Sequence, residues 1–376
     1  MSVFLDLPAA IADEATGVAA HYGEPLREQR ALEGGTAVVD LSHRGIVVVS
    51  GDDRLSWLNS MTSQQLTGLR PGESTETLLL DPNGRIEYAI RVVDDGTQSW
   101  LLVDEGLAER LTAFLTRMRF ALRVVVANRS EDFAVVGAFG NGAALRLLRE
   151  LNPEVEWVDP WQGVQRGGVQ YARGEHAGAH WEFTQCVFAR DRLAAVTAGL
   201  GPDVRAAGLM ALAALEVRAW RPTQHGDLDE RSIAHEFDWM RTAVHLTKGC
   251  YRGQETVAKV HNLGRPPRRL TLLHLDGFRG ELPVPGALVY LADTAKDPEA
   301  RPVGRITRAT LHYEWGGIAL ALLKRSVPED AELEVRSGDA GADPKSSEGD
   351  VIAASQEVIV PADAGASRDI PRLKRL

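Results

Sequence analysis

The chain of 376 residues is short of several things that would define its class at once. It holds only 2 cysteines, Cys186 and Cys250, far apart in sequence. That excludes a disulfide framework and any CxxC metal or redox pair, and a reducing compartment is expected. No stretch approaches the ~18 uninterrupted apolar residues that a membrane-spanning helix needs. The opening MSVFLDLPAAIADEA has no basic region and meets Asp6 and Asp13 before an apolar segment can form, so no signal peptide is expected. Basic residues are also in deficit, 42 Lys plus Arg against 52 Asp plus Glu, for a net charge of −10. A surface of that sign repels phosphate backbones and disfavours generic nucleic-acid binding. There is no short repeat and no GxGxxG or GxxxxGK[ST] phosphate loop. What remains, 44% apolar and 25% charged residues, is the composition of a soluble, cytoplasmic globular protein of two or three domains.

Strand and helix signals mix in the first two thirds. The β-branched run 45–50 leads into Leu55, Leu58 and Met61 at helical spacing. Segments 77–80 and 85–93 flank Asp81-Pro-Asn-Gly84, whose Pro and Asn-Gly chemistry favours a hairpin. Strand 100–103 precedes an amphipathic helix over 105–118 with Leu107, Leu111, Phe114 and Leu115 on one stripe. Strands at 123–127 and 133–138, a helix at 142–151 and a long Ala/Leu-rich helix at 203–220, stopped by Pro222, follow. The alternation lacks a strict βαβ rhythm, so α+β is expected rather than a doubly wound parallel sheet. After Arg265-Pro-Pro-Arg-Arg269, read as an inter-domain linker, helix signals nearly vanish. Six short strands at 270–275, 287–291, 303–310, 318–323, 332–336 and 351–360 predict an all-β barrel or sandwich. The acidic, Gly/Ser-rich stretch 337–350 reads as a loop, and the segment after Pro361 as a loose tail.

One segment concentrates reactive groups: Thr247-Lys-Gly-Cys-Tyr-Arg-Gly-Gln-Glu-Thr256. Lys248 and Arg252 would lower the pKa of the Cys250 thiol if they lie beside it, and Glu255 could orient one of those cations. The competing reading is a polar inter-domain loop in which Cys250 is a small buried residue. Local chemistry leaves both open.

The run Lys248-Gly-Cys-Tyr-Arg-Gly-Gln-Glu255 matches, in register, the K-G-C-Y-x-G-Q-E signature of the YgfZ family, folate-binding proteins similar to the aminomethyltransferase, or T-protein, of the glycine cleavage system. Val39-Asp-Leu-Ser-His43 resembles that family's early D-x-S motif. Gly304-Arg-Ile-Thr-Arg308 and Ile318-Ala-Leu-Ala-Leu-Leu-Lys324 resemble its terminal barrel, and Val260–Arg269 continues the pattern after the signature. The resemblance implies an α+β, T-protein-like three-domain cloverleaf around a central tetrahydrofolate pocket. Two mixed α+β regions, 1–130 and 131–264, would be interleaved, and a barrel over 265–362 would precede a tail at 363–376. It further implies a tetrahydrofolate-binding accessory role in assembly, maintenance or repair of iron–sulfur enzymes, including those that modify tRNA, with Cys250 as the functional thiol. Lys248, Tyr251, Arg252, Gln254, Glu255, Tyr88 and Arg221 are then the expected contacts of tetrahydrofolate or a one-carbon derivative. The expected partners are folate and iron–sulfur client proteins, with no nucleic acid or membrane bound directly.

The chain departs from the aminomethyltransferases at two places. Their G-x-I-x-D-D pattern is here Gly84-Arg-Ile-Glu-Tyr-Ala89, with Tyr88 and Ala89 at the aspartate positions, so glycine-cleavage chemistry lacks its carboxylate. Glu87 is expected on the opposite strand face, solvated. Their L-R-x-E-A-G pattern becomes Leu215-Glu-Val-Arg-Ala-Trp220, where Glu216 and Arg218 read as solvated charges; this weakens the folate expectation or moves the anchor to Arg221 or another cation. His225, His235, His245 and His261 surround the signature at spacings that fit no zinc pattern, and separate polar roles are expected. A one-carbon transferase and a non-catalytic folate-binding module stand as the alternatives.

Overall fold

The computed structural model describes residues 2–276, 282–292, 294, 297, 299–336 and 351–366. The expected loop at 337–350 and residues 367–376 of the expected tail lie outside the described residues; the start of that tail is not loose, since Ala364 is buried and Ala366 N donates to His261 O.

The first sheet has five antiparallel strands in the order Ser74–Leu80, Ile86–Asp94, Gln98–Val103, Gly45–Ser50 and Val125–Asn128. Apart from the partly exposed edge strand Val125–Asn128, its strands are largely buried because both faces of the sheet are covered. Val47, Val49, Ile90 and Leu101 pack with Trp57, Leu58, Leu111 and Leu115 of the helices Arg54–Met61 and Ala108–Met118. Ile46, Val48, Leu78 and Leu102 turn the other way, into a large core shared with the rest of the molecule. The hairpin between Ser74–Leu80 and Ile86–Asp94 turns at Asp81-Pro-Asn-Gly84, where Gly84 has φ 79.

The second sheet runs Val155–Val158, Phe183–Ala189, Phe133–Phe139, Ala37–Asp40 and Arg205–Ala207. Its fourth strand comes from the first third of the chain, so the first two regions are interleaved and a linear boundary near residue 130 cuts through one sheet. Arg205–Ala207 pairs in parallel with Ala37–Val39, which corrects the long helix expected at 203–220. The helix is Leu209–Arg218, begun after Gly208, where a Cβ would lie 2.2 Å from the Ala20 carbonyl oxygen. It ends before Pro222, and Trp220 takes a left-handed φ of 58. An isolated apolar stretch does not reveal that its first turn has been captured by a distant strand.

The last region is a closed six-stranded barrel of Arg268–Leu275, Gly316–Lys324, Gly304–His312, Leu288–Leu291, Leu333–Arg336 and Val351–Val358. It docks through arginines: Arg268 pairs with Asp229 at 2.5 Å and Glu236 at 2.8 Å, and Arg308 with Glu216 at 2.7 Å and Asp227 at 3.0 Å. Arg305 reaches Asp229 at 3.0 Å. The linker reading of 265–269 therefore needs correction. Arg268 and Arg269 belong to a barrel strand, and Arg269 is fully buried, donating to Thr271 Oγ1, Val327 O and Gln356 Oε1.

Candidate functional site

The signature is a short loop that feeds the helix Gln254–Leu263. Gly253 caps that helix with φ 81, and a Cβ there would lie 2.6 Å from the Asp81 carbonyl oxygen. A Cβ on Gly84 would meet Thr256 Cβ at 2.8 Å. Hairpin tip and signature thus touch backbone to backbone, which is why both positions are glycine.

The signature side chains fasten this loop to the first region. Lys248 is buried, and its ammonium donates to three carbonyls, Asn59 O at 2.7 Å, Thr62 O at 2.7 Å and Gln64 O at 2.6 Å. Burial pulls its pKa down to about 7, yet only the protonated amine has three hydrogens for three acceptors. Tyr251 is buried, its ring 5.2 Å from that ammonium, and Gln254 donates to Lys248 O. Arg252 donates to Glu87 Oε2 at 2.5 Å and lies over the Phe114 ring at 5.3 Å. Glu87 is therefore the signature's counter-ion rather than a solvated strand residue. Glu255 is exposed in the first helical turn and orients neither cation. Cys250 is exposed at the loop's crest, and among the described residues no hydrogen bond or ion pair engages its sulfur. Cys186, by contrast, is buried in the second sheet, where burial pushes its thiol pKa up.

The histidines near the signature act separately. His261 Nδ1 meets the Tyr171 hydroxyl at 2.8 Å, His235 Nε2 meets Val257 O at 3.1 Å, and His225 Nε2 meets Glu105 O at 2.7 Å. His245 packs its ring against Gly167. The described residues contain no metal-holding cluster of His, Cys, Asp or Glu.

A cavity of about 650 Å³ opens between the first sheet, the N-terminal segment and the helix Leu209–Arg218. Leu41, Leu209, Leu212 and Ala213 give it apolar walls, and His43, Arg44, Asp104 and Glu216 supply polar groups. A mostly apolar space with a few convergent polar groups is the usual form of a small-molecule site. Asp104 is held in place by Arg91 at 3.1 Å. Burial alone would raise its pKa, but Arg91 and Arg44 hold the carboxyl well below the usual range. Burial, reinforced by Arg44, lowers the His43 pKa to about 4, so its imidazole is neutral, and its buried Nδ1 has no partner among the described residues. Glu216 and Arg218 are not solvated charges either: Glu216 pairs with Arg308 and Arg218 with Glu33.

Of the contacts expected from the sequence, none lines this cavity. Arg221 lies elsewhere, buried over Trp161, with its Nε on Asp159 at 2.9 Å and its Nη2 on Glu76 at 2.7 Å. Tyr88 faces a second cavity of about 460 Å³, with Glu87, Arg110, Phe114, Arg117 and Gln224. Lys248, Tyr251, Arg252 and Gln254 build the thiol's platform. The cavity's polar residues carried one sequence signal, the Val39-Asp-Leu-Ser-His43 motif that ends on His43. Glu216 carried another, since it stands in the segment aligned with L-R-x-E-A-G, whereas Asp104 comes from a segment without a motif.

The GCVT N-terminal domain family matches residues 19–172. A protein of Arabidopsis thaliana described as a putative chloroplastic transferase is 25% identical over 268 residues, 65% of this chain and 58% of its own length. A probable aminomethyltransferase of Natronomonas pharaonis is 30% identical over 146 residues, 37% of this chain and 40% of its own length. The chain thus matches only about half of the length of these relatives. Among solved structures, the glycine cleavage system aminomethyltransferase T of Bartonella henselae superposes with a TM-score of 0.71 at 17% identity, covering 93% of this chain and 94% of that one. The class is defined on these grounds: a T-protein-like fold with a GCVT-type domain and a closed C-terminal barrel.

Proposed function

We propose that the protein is a folate-binding accessory factor of the YgfZ type. It holds tetrahydrofolate or a one-carbon derivative in the 650 Å³ cavity and presents Cys250 to iron–sulfur client proteins in the cytoplasm. The observation that carries this reading is the placement of Cys250. Lys248, Arg252 and Gly253 fasten its loop to the first region, yet the thiol itself stays exposed and, among the described residues, unengaged. A buried structural cysteine would need none of that scaffolding.

The cavity fits a folate. Leu41, Leu209 and Leu212 can pack on a flat ring, and the orphaned His43 Nδ1 and the carboxylates of Glu216 and Asp104 offer hydrogen bonds to ring nitrogens. The bound folate would supply a carrier for one-carbon units. Aminomethyl transfer is disfavoured because Tyr88 and Ala89 stand at the aspartate positions. The adjoining strand edge is also closed by Gln224, whose Oε1 accepts from Ala89 N at 2.8 Å and whose Nε2 donates to Glu87 O at 2.8 Å. With a net charge of −10 and with Arg268 and Arg269 engaged internally, any effect on tRNA modification passes through a protein client.

Replacing Cys250 with alanine in a deletion strain should abolish rescue of iron–sulfur enzyme activity while the melting temperature stays within about 2 °C, as for a surface change. Full rescue by the variant would overturn the reading.

A further inference from the structure

We propose that the 460 Å³ cavity is an anion subsite that takes the γ-glutamyl tail of a polyglutamylated folate, an inference that rests on the folate reading above. The two spaces are lined by neighbouring stretches of the same chain segments. Asp104, Glu105 and Gly106 line the larger and Leu107, next in the chain, lines the smaller. Likewise Thr223 and His225 face the larger, and Gln224 between them faces the smaller. On the proposal, a ligand too long for the first cavity reaches the second across these segments, 104–107 and 223–225.

The smaller cavity has the chemistry of such a tail. Its outer wall is the helix Ala108–Met118, on which Arg110, Phe114 and Arg117 fall on one face at i, i+4 and i+7. The two arginines are about 10.5 Å apart along the axis, two turns. Both are exposed, and among the described residues neither makes a hydrogen bond or ion pair. Arg44 in the larger cavity donates instead to Gln185 Oε1 at 2.7 Å. In an acidic chain, two unengaged guanidinium groups on one concave face are a marked local reversal of charge.

A γ-glutamyl chain alternates carboxylates with methylene segments. Its carboxylates can form charge-assisted bonds to Arg110 and Arg117, and its methylenes can lie on Phe114 between them. The one carboxylate in the cavity wall, Glu87, is already paired with Arg252 and so opposes an anion weakly. Tyr88, whose phenol lies in the field of both arginines, offers a hydroxyl at the inner end.

The test is calorimetric titration of the full-length protein with tetrahydrofolate and with its triglutamate, for the wild type and for Arg110→Gln/Arg117→Gln. The wild type should favour the triglutamate by about tenfold at low ionic strength, and the preference should shrink toward one in ~0.5 M salt. In the double variant the ratio of the two affinities should fall close to one. Equal affinities in the wild type, or a preference retained by the variant, would overturn the subsite and leave the folate reading intact. Absence of binding by both forms would overturn the two together.

Discussion

In the signature, polar side chains bind the protein's own main chain: Lys248 takes three carbonyls, Arg252 takes Glu87, and Gly253 lets two backbones meet. In the 650 Å³ cavity the arrangement is inverted, with apolar walls and polar groups that keep capacity to spare, such as His43 Nδ1. The motif-rich region is thus a mount for one exposed sulfur, and the motif-poor region is where a ligand has room. A conspicuous motif need not mark where a ligand sits. Here it marks the point at which three pieces of chain have to be locked together.

If the mount reading is right, the largest loss of stability in the signature follows from Lys248→Met. Two buried carbonyls and one partly buried one would lose their donor, at about 3 kcal/mol, measurable by urea denaturation. A change below about 0.5 kcal/mol would mean that the clamp contributes little.

The pH response of the same region comes next. His235 is fully buried beneath the signature helix, and burial lowers its pKa to about 4. The folded form therefore stays neutral while the unfolded chain takes up a proton below about 6.5. The stabilisation is complete above that value and is lost as pH falls toward 4. About 2 kcal/mol should disappear between pH 7 and pH 5, and His235→Gln should flatten the slope.

The smallest effect belongs to Glu87→Gln. The Arg252–Glu87 pair is partly exposed, with side chains 27% and 36% accessible, so the change should lower stability by about 0.5 kcal/mol. Amide exchange across the loop 249–253 should rise, and no change in exchange would show that this pair does not hold the loop.

The same contrast explains what could be read in advance. The hairpin at Asp81–Gly84 and the barrel strands were legible because turn chemistry and short apolar periods are local signals. So was the singular position of Cys250. The partner of Arg252 was not, since Glu87 lies on a distant strand and looks like any solvated glutamate. Arg221 offered itself as an anchor only because the sequence does not show Glu76 and Asp159 closing on it. Arg268 looked like part of a linker for the same reason. The cavity was least legible of all: Leu41, Asp104 and Leu212 are unremarkable singly and become a site only where their segments converge.

The most direct test of this division is titration of tetrahydrofolate into three proteins: the wild type, Cys250→Ala and Ala213→Trp, the last placing an indole in the cavity. The account predicts that Cys250→Ala binds as the wild type does, while Ala213→Trp weakens binding by at least about tenfold, or ~1.4 kcal/mol. Loss of binding in Cys250→Ala with full binding by Ala213→Trp would contradict it.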